Sequence, residues 1–299
     1  MDSARPLSGV LLFVLGLFLF ACMDTTVKYL TARYPVPAVA ALRYMVHGLL
    51  MVVLLAPTEG RRLVQTQRTG WVLVRALCLA GATLFMGLAL QRMPVAETTA
   101  MVFISPLLVV LVAGPLLGEK VGPFDWIAAL LGFLGILLIA RPGGATDVAG
   151  VLYALGAAAV MTGYQLLSRT LAATERTIAM LFHTALLGSL LFGLALPWSW
   201  QGPLPPLPHV GLFLIVGACG GMGHYLFTAA YRQTPASALA PLTYVQLLWA
   251  VLLGWLVFDH VPDALSVAGM CVVTACGISA AIRSHRSRPR ADVPVDVEP

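Results

Sequence analysis

The residues of this sequence that could do chemistry are ionisable side chains within long apolar segments. Placing such a group in an apolar environment costs free energy unless it faces a partner or a polar cavity. Each is therefore a candidate for binding a charged substrate group or for carrying a proton. The set comprises Asp24, Lys28, Arg43, His47, Arg75, Glu97, His183 and His224.

Two pairs have the four-residue spacing that places side chains on one face of a helix. Asp24 and Lys28 either neutralise each other as a local ion pair, or Asp24 binds a substrate amine or carries a coupling proton. Arg43 and His47 repeat the spacing. Because arginine keeps its charge, Arg43 could clamp a substrate carboxylate through two parallel hydrogen bonds, or it could pair internally with Asp24 or Glu97.

The other candidates are single polar groups. Glu97 follows Pro94 at the start of a predicted helix, where a carboxylate stabilises the helix N-terminus; proton coupling is the alternative. His183 and His224 are either proton carriers and cavity donors or satisfied polar groups of a helix bundle. Three neutral side chains are also expected in the cavity: Tyr164, Gln165 and Tyr244.

The elements that must position these residues are membrane-spanning helices. Of 299 residues, 59% are apolar and 10% charged, against about half and about a quarter in soluble domains. A span needs about 20 apolar residues. We therefore predict an all-α polytopic membrane protein of about ten spans: 8–30, 36–57, 71–92, 94–116, 123–140, 148–171, 177–197, 209–232, 235–257 and 263–282.

The basic residues indicate a topology. The net charge of +5 is spread over many loops, which argues against a nucleic-acid partner. Counted on alternate sides of the predicted spans, twelve Lys and Arg lie on one side and four on the other. The positive-inside rule then places both termini in the cytoplasm of a multi-pass protein, here expected in the bacterial inner (plasma) membrane.

An internal repeat divides the chain. The segment from Arg92 to Glu119 matches the segment from Arg232 to Asp259 at an offset of 140 to 141 residues. Five spans per unit force the second unit to run the opposite way through the bilayer, an arrangement that suits alternating access. We predict a first unit over 1–141, an inverted second unit over 148–282, and a disordered cytoplasmic tail over 283–299.

The sequence lacks the motifs that are typical of several functional classes. The chain has no glycine-rich phosphate loop, GxSxG elbow or HExxH pair, so we expect no catalytic residue, enzyme activity or cofactor. No His, Cys and carboxylate cluster has metal-site spacing, so no metal is expected. The inverted repeat favours a carrier over a fixed pore. The expected partners are a small-molecule substrate and the lipid bilayer, and a homodimer is left open.

Motifs along nearly the whole chain resemble those of the EamA family of the drug/metabolite transporter (DMT) superfamily. They include Ala41-Leu42-Arg43-Tyr44, the run from Ala100 to Leu107, and Gly118-Glu119-Lys120. A weaker copy of the second motif has Gln246-Leu247 in place of Ser105-Pro106. The resemblance implies a membrane carrier and leaves its substrate and direction open.

The charged and polar candidates favour a small zwitterionic substrate, such as an amino acid or an amino-acid-derived compound like a metallophore. The resemblance to exporting members implies metabolite export by a secondary transporter. The alternative is an uptake carrier for a vitamin or nucleoside-like metabolite such as riboflavin or S-adenosylmethionine. That alternative rests on the segment from Phe20 to Leu30, which is similar to such carriers.

Overall fold

Helices are the only regular secondary structure in the part of the protein that the computed structural model describes, residues 5–117, 122–140, 147–200, 202–234 and 239–286. These residues form eleven α-helices and no strand. Two short 3-10 helices, Gly60–Leu63 and Ala240–Tyr244, accompany them. The α-helices are α1 (Arg5–Thr31), α2 (Val36–Glu59), α3 (Thr69–Arg92), α4 (Val95–Val102), α5 (Ser105–Leu117), α6 (Pro123–Ala140), α7 (Val148–Leu171), α8 (Thr177–Ser199), α9 (Leu207–Gln233), α10 (Val245–Phe258) and α11 (Ala264–Arg286).

Six of these helices are long and apolar enough to cross a membrane: α1, α2, α3, α7, α8 and α9. Four shorter apolar helical stretches, Val95–Val109, Trp126–Ala140, Leu242–Phe258 and Ala264–Ser279, fall within the other predicted spans. An all-helical fold with several spans agrees with the predicted class. The count of ten spans and the inverted repeat stay predictions.

Two predicted spans are not single α-helices. The fourth is divided into α4 and α5 at Phe103 and Ile104, just before Pro106, which lacks the backbone N–H that a continuous helix needs. In the ninth, the 3-10 helix Ala240–Tyr244 precedes α10. Both breaks put irregular backbone within apolar segments, which membrane proteins tolerate where other helices surround it.

Some sequence predictions fall partly or wholly on parts of the chain outside the described residues. They concern the Gly118-Glu119-Lys120 motif, the end of the first predicted unit after residue 140, and the tail from residue 287 onward. Helix α11 continues to Arg286. The first four residues of the predicted disordered tail are therefore helical.

The main helix contacts join the two halves of the chain. Helix α1 packs along α9, α3 along α7, α2 along α8, and α6 along α11. At the last of these crossings two glycines meet backbone to backbone, because a Cβ on Gly135 would lie 2.9 Å from the carbonyl oxygen of Gly269. Small residues permit such an approach where apolar lipid gives no hydrophobic drive.

Polar groups at the helix ends fix the connections. The carboxylate of Asp147 accepts hydrogen bonds from the backbone N–H groups of Ala149 and Gly150 and so caps α7. Arg92 at the end of α3 donates to Asp147 at 2.9 Å, and this bond, with those from the backbone, lowers the pKa of the carboxyl group. The carboxylate of Glu175 similarly accepts from the backbone N–H groups of Gln67 and Arg68.

Candidate functional site

Asp24 and Arg43 line one small cavity between α1, α2 and α3. Its volume is about 20 Å³, and Thr83 and Thr31 contribute to its wall. Asp24 is 7% exposed. Its side chain has one hydrogen bond in the described residues, a long contact of 3.4 Å from Nε2 of Gln246 on α10. The carboxylate is thus buried with little compensation.

The guanidinium of Arg43 also lacks a direct ion pair in the described residues. Its Nη1 donates to Oγ1 of Thr83 at 3.2 Å, and it lies over the ring of Tyr44 at 5.3 Å. No carboxylate of the described residues lies within 4.0 Å of it, so the internal ion pair with Asp24 or Glu97 is not formed. The cavity therefore holds both signs of charge without a direct pair between them.

The two central histidines stack on each other. The rings of His47 and His224 are 6.0 Å apart and nearly parallel, and His224 also meets the edge of Phe20. This brings His47 of α2 to α9. His183 is elsewhere, with Nδ1 2.9 Å from the carbonyl oxygen of Ala179 on its own helix. Of the two open interpretations for His183, a satisfied polar group of the bundle agrees with this geometry.

Lys28 does not pair with Asp24 despite the four-residue spacing. Its ammonium group donates to the carbonyl oxygens of Leu90 and Met93 at 3.0 and 2.7 Å and lies 5.5 Å from the centre of the Phe258 ring. Because the last carbonyls of a helix have no partner within it, Lys28 satisfies the C-terminus of α3. The local ion pair is therefore absent from this structure.

Glu97 lies in the first turn of α4 as predicted, but neither of its side-chain oxygens accepts a hydrogen bond from the backbone of that turn. Instead, Oε1 is 2.9 Å from Nε2 of His260, in the connection between α10 and α11. The other oxygen, Oε2, is buried without a hydrogen-bond partner in the described part of the chain. A cavity of about 260 Å³ lies beside this pair and is bounded by Lys28 and His260.

The three neutral candidates lie in different surroundings. Tyr164 is held by Arg75, whose Nη2 donates to its hydroxyl at 2.7 Å. Gln165 donates from Nε2 to Oγ of Ser105 at 3.1 Å. The ring of Tyr244 meets the edge of Phe103 at 5.4 Å, and its buried hydroxyl has no hydrogen-bond partner in the described residues.

Four residues at this site were not among the predicted candidates: Thr83, Ser105, Gln246 and His260. Ser105 and Gln246 carried a signal, since they occupy matching places in the internal repeat. Thr83 and His260 carried none, because a threonine in an apolar run and a histidine in a loop are common. No group of three His, Cys or carboxylate side chains that could hold a metal occurs in the described ranges.

The comparison with known proteins decides the family. The model of the EamA-like transporter family matches residues 7–141 and again 148–280. The chain belongs to the EamA-like transporter family. It is a multi-pass membrane transporter for a small molecule and not an enzyme.

The relatives of this EamA-like protein differ in substrate. It is 30% identical to the pseudopaline exporter CntI of Pseudomonas aeruginosa, over 90% of this chain and 94% of that protein. It is also 30% identical to a riboflavin transporter of Vibrio cholerae, over 90% and 91%. An S-adenosylmethionine uptake transporter of Rickettsia prowazekii is 23% identical, over 89% and 90%. A solved crystal structure with 22% identity matches 96% of this chain with a TM-score of 0.66, which shows the fold alone.

Proposed function

We propose that this protein is a secondary transporter that exports a small zwitterionic metabolite across the bacterial inner membrane. The substrate class is an amino acid or an amino-acid-derived compound such as a metallophore. One observation carries the proposal: Asp24 and Arg43 line the same cavity, yet neither has an oppositely charged partner within 4.0 Å in the described residues.

Uncompensated charges in a membrane interior are costly, and a ligand that supplies the opposite charges removes that cost. A zwitterion offers both at once. Its amine fits the carboxylate of Asp24, and its carboxylate fits the guanidinium of Arg43, which can donate two parallel hydrogen bonds. A neutral ligand would leave both charges of the site unpaired.

The cavity of about 20 Å³ has room for roughly one water molecule, so a metabolite enters only when the helices around it move. Alternating access between two inverted five-span units supplies such a movement. Two observations support this part of the proposal. The family model matches the chain twice. The pairing of α1 with α9 has an equivalent in the pairing of α7 with α3 when the two units are exchanged.

Export is favoured by the similarity to the pseudopaline exporter. The riboflavin transporter is equally similar in sequence, and this specific observation favours uptake of a vitamin or nucleoside-like metabolite as the second candidate. Riboflavin carries no amine and carboxylate pair for Asp24 and Arg43, so the charges of the cavity favour a zwitterion over riboflavin. S-adenosylmethionine, the other compound of this second candidate, carries both groups, so it differs from the proposed substrate class in the direction of transport and not in these charges. We also infer that both termini lie in the cytoplasm.

The test compares metabolites inside and outside cells of a deletion strain. The strain is complemented with wild type, Asp24→Asn, Arg43→Gln or the control Arg33→Ala. Arg33 is exposed between α1 and α2, outside the cavity. We expect one zwitterionic compound to accumulate inside the deletion strain. Wild type and the control release it, whereas both cavity variants release at least about tenfold less, as expected for loss of a charged hydrogen bond.

Two results would contradict the proposal. A compound that stays in the medium of the deletion strain, and is consumed when wild type is present, would make the protein an uptake carrier. A transported compound without an amine or a carboxylate would remove the assigned roles of Asp24 and Arg43. Membrane levels of each variant, measured by immunoblot, separate loss of transport from loss of protein.

A further inference from the structure

The two broken spans meet at matching places of the internal repeat. The first break is at Phe103, between α4 and α5, and the second is at Tyr244, between the 3-10 helix and α10. These residues are 141 apart in sequence, the offset of the repeat, and their rings contact each other at 5.4 Å and 90°. The breaks therefore touch where the two units face each other.

A polar residue lies two positions after each break, and its side chain contacts the other unit. Ser105 accepts a hydrogen bond from Gln165 of α7 at 3.1 Å. Gln246 donates one to Asp24 of α1 at 3.4 Å. Asp24 and Gln165 are again 141 residues apart, as are Ser105 and Gln246. The two contacts are thus the same contact made once by each unit.

The two contacts differ in charge. The pair of Asp24 and Gln246 contains a carboxylate, whereas the pair of Gln165 and Ser105 contains only an amide and a hydroxyl. Both pairs join helices of different units, so a movement between the units changes both. A cationic group gains ionic attraction at the first pair and none at the second.

We propose that Gln165 and Ser105 form a second substrate contact, which binds an uncharged hydrogen-bonding group of the same molecule whose amine binds Asp24. This rests on the proposed function and makes its substrate class narrower. The substrate carries its amine and carboxylate at one end, for Asp24 and Arg43, and a neutral polar group, such as an amide or hydroxyl, at the other. Gln165 determines substrate specificity, because its neutral amide gives no ionic attraction to a second cationic group.

A purely structural role for the Gln165 hydrogen bond, holding α7 against α5, is the competing explanation. It predicts that removing the bond lowers the melting temperature and leaves the KM of the folded protein unchanged. A role in substrate binding predicts a raised KM and an unchanged melting temperature. The control is Tyr34→Phe, since the hydroxyl of Tyr34 also makes one hydrogen bond between separate elements, at 2.6 Å to Nδ1 of His209 on α9, and Tyr34 lines neither of the two cavities described above.

The experiment measures transport of the compound that wild type moves, in proteoliposomes, with melting temperatures in parallel. We expect Gln165→Ala and the milder Ser105→Ala each to raise KM about fivefold, which corresponds to the loss of one hydrogen bond. We expect Tyr34→Phe to keep the wild-type KM. The double variant combines Asp24→Asn with Gln165→Asp and so moves the carboxylate to the equivalent contact. We expect it to transport the compound at least about tenfold faster than Asp24→Asn alone.

A wild-type KM in both Gln165→Ala and Ser105→Ala overturns the proposal, and so does a double variant no better than Asp24→Asn alone. Failure of the proposed function gives a different pattern, in which Asp24→Asn itself transports normally. The KM values of Gln165→Ala and Ser105→Ala test the second contact whatever Asp24→Asn does, so the two failures are distinguishable.

Discussion

Arg43 and Arg75 are both guanidinium groups within membrane-spanning helices, and their surroundings give them different roles. Arg75 is 3% exposed and donates to Ser168, Tyr164, Thr184 and the carbonyl oxygen of Met180. These partners join α3 to α7 and α8. Arg43 has one hydrogen bond, to Thr83, and borders a cavity. Arg75 therefore ties helices together, whereas Arg43 has donors left for a ligand.

At the scale of one residue, we predict that Arg75→Lys destabilises the protein without altering substrate affinity. The compact ammonium group cannot reach all the partners of the planar guanidinium. We expect the free energy of unfolding to fall by about 2 kcal/mol, the loss of two to three hydrogen bonds. Thermal unfolding in detergent, followed by intrinsic fluorescence, measures this.

Arg43→Lys is the matched comparison for Arg75→Lys. We expect it to keep the melting temperature and to raise the KM for the transported compound, because the two-pronged contact to a carboxylate is lost. If Arg75→Lys melted like wild type but raised KM, Arg75 would belong to the substrate site and the distinction between the two arginines would be wrong.

At the scale of elements, the contact between Glu97 and His260 connects α4 to the segment between α10 and α11. It joins one predicted unit to the other, close to where Lys28 binds the last carbonyls of α3. The cavity of about 260 Å³ lies beside it. Movement of the units around a central site requires contacts of this kind to break and form again.

We predict that a covalent link between positions 97 and 260 stops transport. The variant carries Glu97→Cys and His260→Cys in a chain whose five native cysteines are replaced by alanine, and a short thiol-specific linker with reducible ends joins the pair. We expect transport to stop on linking and to recover on reduction. The control links Tyr29→Cys to Arg33→Cys, which lie one helical turn apart and join no separate elements. Transport that continues in the linked protein contradicts a moving contact here.

The helices were more predictable than their interruptions. Apolar runs bounded by proline or glycine predicted α6 and α7 at the bounds that the structure has. Pro106 and Pro241 predict that the fourth and ninth spans are interrupted. The helix end at Phe103 itself was not predicted, because hydropathy reports apolar character and not the pattern of backbone hydrogen bonds. The candidate residues of the site could be named, but most of their partners could not. Asp24 and Gln246, for example, are 222 residues apart in sequence and meet only through packing.

At the scale of the whole molecule, the contacts between interhelical connections agree with the sides of the membrane to which the sequence assigns the basic residues. Glu175 binds the backbone at Gln67 and Arg68, and Arg176 pairs with Glu59 at 3.4 Å. The topology that we infer places all of these in the cytoplasm. Arg92 pairs with Asp147 at the opposite end. Segments that the charge pattern assigns to one face thus lie together.

The last prediction follows from that topology. Ten spans with a cytoplasmic N-terminus return the chain to the cytoplasm after α11 and expose the connection between α8 and α9 outside. We expect green fluorescent protein to fluoresce when fused after Pro299 or after Thr66, and alkaline phosphatase to be active only when fused after Pro203. An active phosphatase at Pro299 would require an odd number of spans or a reversed orientation. Activity at Pro299 together with inactivity at Thr66 would indicate an odd number of spans. An odd number cannot be divided into two equal inverted units, so that pair of results would also remove the structural basis for alternating access.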